Sequence, residues 1–184
     1  MAVLSDQEIR SLLEAGRLTI EPMPPWQAIQ TSSIDLSLGN RFRELEDSAE
    51  TAIEMAIDVR DSKRVMETLA RYSTDISVED GGSYLLKRGG FALAWTRERV
   101  SLPNFLAARV EGRSTAARIG LSVHQSAPTV HATFSGQLQL ELTNAGPFDV
   151  RLYPGQTICQ LILETMSMPS VTSLQSVHQH QSGD

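Results

Sequence analysis

Cysteine occurs once in this 184-residue chain, as Cys159, so neither an intramolecular disulfide nor a thiolate zinc cage can form. Long apolar runs are missing: nothing approaches the roughly 18 consecutive apolar residues of a membrane-spanning helix. The first residues, Met-Ala-Val-Leu-Ser-Asp, lack a basic segment followed by an apolar stretch, so they do not read as a secretion signal, and the expected location is the cytoplasm. Basic excess is absent as well. A net charge of −6 argues against a general nucleic-acid binder, whose backbone affinity needs dense Lys and Arg, and nothing points to a membrane partner. A small anionic ligand stays open, because it needs a few aimed donors and not a basic surface. Repeats of 20 to 50 residues are not seen.

What is present is the composition of a soluble globule, 41% apolar and 21% charged. The first marked element is a helix: Ser5 and Glu8 form a capping box, Ile9, Leu12 and Leu13 share one face, and Gly16 stands where the chain should leave the helix. Pro22, Pro24 and Pro25 then enforce an extended stretch, and Ser33 to Gly39 alternates polar with apolar as a strand should. Asp35 lies on the polar side of that strand without an evident role. Residues 44–80 are acidic and weakly patterned, with a helix expected near 62–70, and read as an insertion on a β scaffold. From Ser83 onward, short apolar runs separated by Gly or Pro predict a mainly β domain. Residues 1–170 are expected to form a single domain and residues 171–184, rich in Ser, Gln and His, a mobile tail. The setting Ile158-Cys159-Gln160-Leu161 places Cys159 in a buried strand.

Two segments have the makings of a site. Gly112-Arg113-Ser114-Thr115-Ala116-Ala117-Arg118 suits a turn into a short helix whose free N–H groups attract an anion, with Ser114 and Arg118 on one face. The same residues also fit a capped surface helix. Gln137 to Thr143 is a period-2 strand: Leu138, Leu140 and Leu142 take the core face and leave Gln137, Gln139, Glu141 and Thr143 on the other. If that face is solvated, Glu141 has no role; if it lines a pocket, Glu141 is placed to take a proton from water and pass it on. His124 and His131 are seven residues apart, outside zinc-ligand spacing, and no His-x-Glu accompanies a Pro-Cys-x-x-Cys, which excludes the zinc nucleobase deaminases as templates.

Taken together, Gly112 to Leu121, the strand ending Leu140-Glu141-Leu142, and Leu152-Tyr153-Pro154-Gly155-Gln156 resemble the dCTP deaminase family of the dUTPase superfamily. The N-terminal half agrees through Leu4 to Ile9, Gly16-Arg17-Leu18, Ser33 to Asn40 and Val100-Ser101-Leu102-Pro103, so the resemblance spans about residues 4–164. It implies a distorted β jelly roll, a dUTPase-like barrel with an N-terminal helix and a partly helical insertion. It further implies a homotrimer with nucleotide sites between subunits, Mg²⁺ carried on the triphosphate and no zinc, and it points to dTTP as an inhibitor. The implied reaction is hydrolysis of dCTP to dUTP and ammonia. Glu141 matches the family's catalytic glutamate, with Ser114, Arg118 and the Ala127 carbonyl beside the attacking water. The nucleotide-contacting set becomes Arg113, Ser114, Thr115, Ala116, Ala117, Arg118, His131, Gln139, Leu140, Glu141, Gln160 and Gln181.

The sequence departs from that pattern in three places. His131 replaces an aspartate that meets the sugar 3′-hydroxyl in many members, and Phe134 replaces a tryptophan of some. In the tail, Val177 and His178 replace a lysine and a tyrosine while Gln181 stays in register, which shifts the phosphate grip towards Arg113, Arg118 and Gln160. Two other functions compete: a bifunctional enzyme that carries dCTP through dUTP to dUMP, and a non-catalytic nucleotide sensor. The 44–80 insertion favours the single deamination, and the joint presence of Ser114, Arg118 and Glu141 favours an enzyme.

Overall fold

Side-chain alternation builds most of the architecture. In the computed structural model, which describes residues 2–45 and 57–172, the chain is mainly β. Among the described residues, nine strands form one antiparallel sheet: β1 (Thr19–Glu21), β2 (Ile34–Leu45), β3 (Ser73–Ser77), β5 (Phe91–Ser101), β6 (Leu106–Gly112), β7 (Leu121–Ser122), β8 (Thr129–Val130), β9 (Ser135–Asn144) and β11 (Thr157–Thr165). The order is β7-β9-β5-β2-β11-β6-β8, with β1 also on β5 and β3 also on β2. Strands β4 (Tyr84–Leu86) and β10 (Val150–Leu152) pair separately. Among the described residues one apolar cluster takes Ile34, Leu36, Leu38, Leu140, Leu142 and Leu161 from the large sheet and Leu86 and Leu152 from the small one. No helix among the described residues is long and apolar enough to cross a membrane.

Helix α1 (Asp6–Glu14) forms as its sequence dictates. The Ser5 hydroxyl accepts the Glu8 N–H and the Glu8 carboxylate accepts the Ser5 N–H at 2.9 Å, so two free helix-start donors are satisfied reciprocally. Gly16, at φ 64°, takes the left-handed conformation that ends the helix.

The insertion differs from its sequence reading. Helix α2 (Ser62–Arg71) lies where a helix is expected, but it runs into β3, which pairs along β2 from Arg41↔Ser77 to Leu45↔Ser73. Ser-Thr-Asp-Ile-Ser has little apolar alternation, and its strand character comes from edge pairing to β2 and from the Arg43–Asp75 ion pair. Of the expected insertion, residues 46–56 lie outside the described residues, as do residues 173–184 of the tail, including Val177, His178 and Gln181.

Cys159 has no exposed surface and sits in the core of β11. Burial pushes its thiol up, and the nearby Glu98 and Asp35 carboxylates push in the same direction. An aromatic disulfide reagent is therefore expected to find no reactive thiol in the folded protein and one per chain after denaturation. Rapid native reaction would contradict this packing.

Candidate active site

The strand β9 delivers the alternation expected of it. Leu138, Leu140 and Leu142 are buried, while Gln137, Gln139, Glu141 and Thr143 are half-buried, so their face is neither core nor open solvent. The floor of that face comes from β5, where Leu93 pairs with Glu141 and Trp95 with Gln139. Both are buried, at 8% and 3% exposure, and the Arg41 guanidinium covers the Trp95 ring at 4.2 Å.

Glu141 is held in one orientation by the loop that follows β7. The Gln125 N–H donates to Glu141 Oε2 at 2.9 Å, the Glu141 N–H donates to the Val123 carbonyl at 3.0 Å, and the Gln125 side-chain amide donates to Thr143 Oγ1. Beyond those contacts β7 pairs only with Thr143 and Asn144, so among the described residues no strand lies beside Gln139 and Leu140 on that side. Main-chain donors and acceptors next to Glu141 are thus available to a planar ligand. The Leu140 side chain is in the core, and its contact with any ligand is confined to that main chain.

The segment from Gly112 folds as a short helix, α3 (Ser114–Ala117), with Arg113 before it and Arg118 closing it. One turn places neighbouring residues on opposite sides. Ser114 and Ala117 line a cleft of about 490 Å³ with Glu111, Ser122, His124 and Gln160, whereas Arg113, Thr115 and Ala116 line a second, of about 510 Å³, with Arg151 and Gln156. The Ser114 and Arg118 side chains are exposed, and among the described residues no hydrogen bond or ion pair joins either to Glu141. Ala127 and His131 are also exposed. His131 sits in the turn after β8, its carbonyl accepting the Phe134 N–H at 3.2 Å, and the same turn holds Thr133 at φ 66°, an unfavourable conformation for a β-branched residue.

Asp35 is the residue that reading the sequence left without a function. Its Oδ2 lies 2.7 Å from Arg113 Nη1 and its Oδ1 accepts the Gln160 amide at 3.1 Å. Gln125 was missed as well, and Thr143 was placed on the Glu141 face without its partner. The polar alternation of Ser33 to Gly39 placed Asp35 away from the core, but nothing local to the sequence reveals partners this distant.

A family model described as dCTP deaminase-like matches residues 3–166. The chain belongs to the dCTP deaminase-like family. It is 40% identical over 170 residues to the dUMP-forming dCTP deaminase of Methanobrevibacter smithii, covering 92% of this chain and 84% of that one. It is 36% identical over 170 residues to the dCTP deaminase of Thermomicrobium roseum, covering 92% and 82%. The crystal structure of 2′-deoxycytidine 5′-triphosphate deaminase from Agrobacterium tumefaciens superposes with a TM-score of 0.66 at 20% identity; it covers 89% of this family member, which spans only 47% of that chain. The mainly β architecture expected from the sequence is the one observed, and it is shared with that deaminase structure.

Proposed function

We propose that this chain is an enzyme that hydrolyses dCTP to dUTP and ammonia and then hydrolyses dUTP to dUMP and pyrophosphate. The observation that carries the reading is Glu141: a half-buried carboxylate with one oxygen fixed by the Gln125 N–H, beside a stretch of strand edge that no described strand covers, in a chain of this family. Glu141 takes a proton from a water that the Ser114 hydroxyl and the Ala127 carbonyl also hold. The oxygen adds to C4 of cytosine, the proton is returned to the departing amine, and the C4–N4 bond breaks as ammonia leaves. Main-chain groups near Gln139 and Leu140 read the base, and His131 lies towards the sugar.

The site is completed between copies in a homotrimer. Ser114 and Arg118 are exposed and unpaired to Glu141 within the chain, as expected if they serve the Glu141 of another copy. Arg113, Thr115, Ala116, Ala117 and Gln160 supply donors for the phosphates, and Gln181 closes on them from the tail. Mg²⁺ arrives on the triphosphate and neutralises part of its charge. The enzyme works in the cytoplasm, and dTTP competes for the same pocket.

The end product is where the 44–80 insertion and the relatives pull apart: the insertion favours stopping at dUTP, whereas the relative at 40% identity is a dUMP-forming enzyme. The latter match extends over most of the chain and supports the two-step reading. Supplied with dUTP alone and Mg²⁺, the purified protein is expected to release dUMP and pyrophosphate, resolved by chromatography. Intact dUTP, together with stoichiometric dUTP from dCTP, would leave the deamination and remove the second step.

A further inference from the structure

Asp35 is an acidic side chain placed among groups read as phosphate contacts. A row of side chains crosses the outer face of the sheet from Asp35 on β2, through Gln160 on β11, to Glu111 on β6, each opposite the next in register. Their neighbours Ile34, Leu36, Cys159, Leu161 and Val110 are buried in the core, which fixes the backbone beneath the row. Asp35 is the best shielded of the ion pair it forms: its side chain is 12% exposed against 36% for Arg113. One oxygen forms the ion pair with Arg113 and also lies 3.4 Å from the Gln30 amide, and the other accepts from Gln160, whose amide also lies 3.4 Å from Ser33 Oγ. The Arg113 carbonyl in turn accepts the Ala117 N–H at 2.9 Å, so Asp35 anchors the side chain of the residue from which α3 starts.

Two electrostatic effects of opposite sign follow. Acting directly, a carboxylate repels a triphosphate. Acting through its partners, it freezes a guanidinium and an amide that would otherwise sample many rotamers, and preordered donors bind an anion without that loss. We propose that Asp35 is a positioning residue of the nucleotide site, aiming Arg113 and Gln160 at the phosphates and setting nucleotide affinity without taking part in the deamination step. The proposal rests on the assignment of Arg113 and Gln160 as phosphate contacts.

The test compares wild type with Asp35→Asn, Asp35→Glu and Arg113→Gln, measuring KM and kcat for dCTP, the inhibition constant of dCMP, and the melting temperature. Asp35→Asn is expected to raise KM for dCTP about tenfold or more, as for a lost charge-assisted contact, with kcat nearly unchanged. Binding of dCMP, with a single phosphate, is expected to weaken less, and Asp35→Glu to recover part of the loss. Adding Asp35→Asn to Arg113→Gln is expected to change KM by less than it does alone. An unchanged or lowered KM in Asp35→Asn overturns the proposal, because repulsion then outweighs positioning. A fall in kcat that tracks a lower melting temperature also overturns it, by making the role structural. If Arg113→Gln leaves the dCTP KM untouched in an active enzyme, the phosphate assignment fails instead.

Discussion

Glu141→Gln is expected to lower kcat for dCTP deamination by about 10²- to 10⁴-fold, the range for loss of a positioned general acid–base group. The substitution changes little else. A glutamine oxygen can still accept the Gln125 N–H, and Leu140 and Leu142 on either side keep the strand in the core, so the melting temperature should stay close to wild type. Nucleotide binding should persist, since the residues proposed to hold the phosphates lie elsewhere. Ser114→Ala is expected to be impaired too, and the pair supplies a test of where the site is completed. If Ser114 and Glu141 come from different copies, subunits of the two variants reassorted in equal amounts regain activity at about a quarter of the sites. No recovery after proven reassortment would place both groups on the same chain.

Gly120→Ala is expected to destabilise the protein by roughly 2–5 kcal/mol, combining a left-handed backbone that disfavours Cβ with a steric conflict that cannot relax cheaply. Gly120 has φ 89°, and a Cβ there would lie 2.3 Å from the Gly146 nitrogen and 2.5 Å from its Cα. The reverse approach is tighter, with a Cβ on Gly146 falling 1.9 Å from the Ile119 carbonyl oxygen. Two backbones cross here with no room for a side chain. The crossing is stapled by Ala145, whose N–H donates to the Gly120 carbonyl, and by buried Asn144, whose side-chain amide donates to the Phe148 and Leu86 carbonyls. Because Gly120 lies in the turn between α3 and β7, forcing it apart moves Ser114 and Arg118 relative to the Gln125 loop. Denaturant unfolding should show the stability loss, and the surviving folded fraction should turn over dCTP more slowly. A stability change below about 1 kcal/mol would mean that the crossing is looser than described.

Local rules made much of the fold legible. The capping box specified α1, period-2 alternation specified β9 and the core role of Leu138, Leu140 and Leu142, and an apolar setting specified burial of Cys159. What local rules missed depends on distant partners. β3 is a strand because β2 offers it an edge, and its own residues give no such signal. Trp95 and Leu93 are buried on the face whose setting alternation left open between solvent and pocket, where the Arg41 guanidinium covers Trp95 and Gln139 and Glu141 lie opposite on β9. The split of Arg113 and Ser114 between two clefts follows from the shortness of α3, and the tie from Asp35 to Gln160 from the register of β2 on β11. Family resemblance named the candidate residues; their geometry adds the Gln125 clasp on Glu141 and the Asp35 anchor on Arg113.

The most direct measurement counts ammonia against dCTP consumed by the purified wild-type protein with Mg²⁺ present and zinc chelated. One ammonia per dCTP is expected, formed at a rate that zinc does not alter and that collapses in Glu141→Gln. Nucleotide binding without ammonia release, or undiminished release from the Glu141→Gln variant, would contradict it.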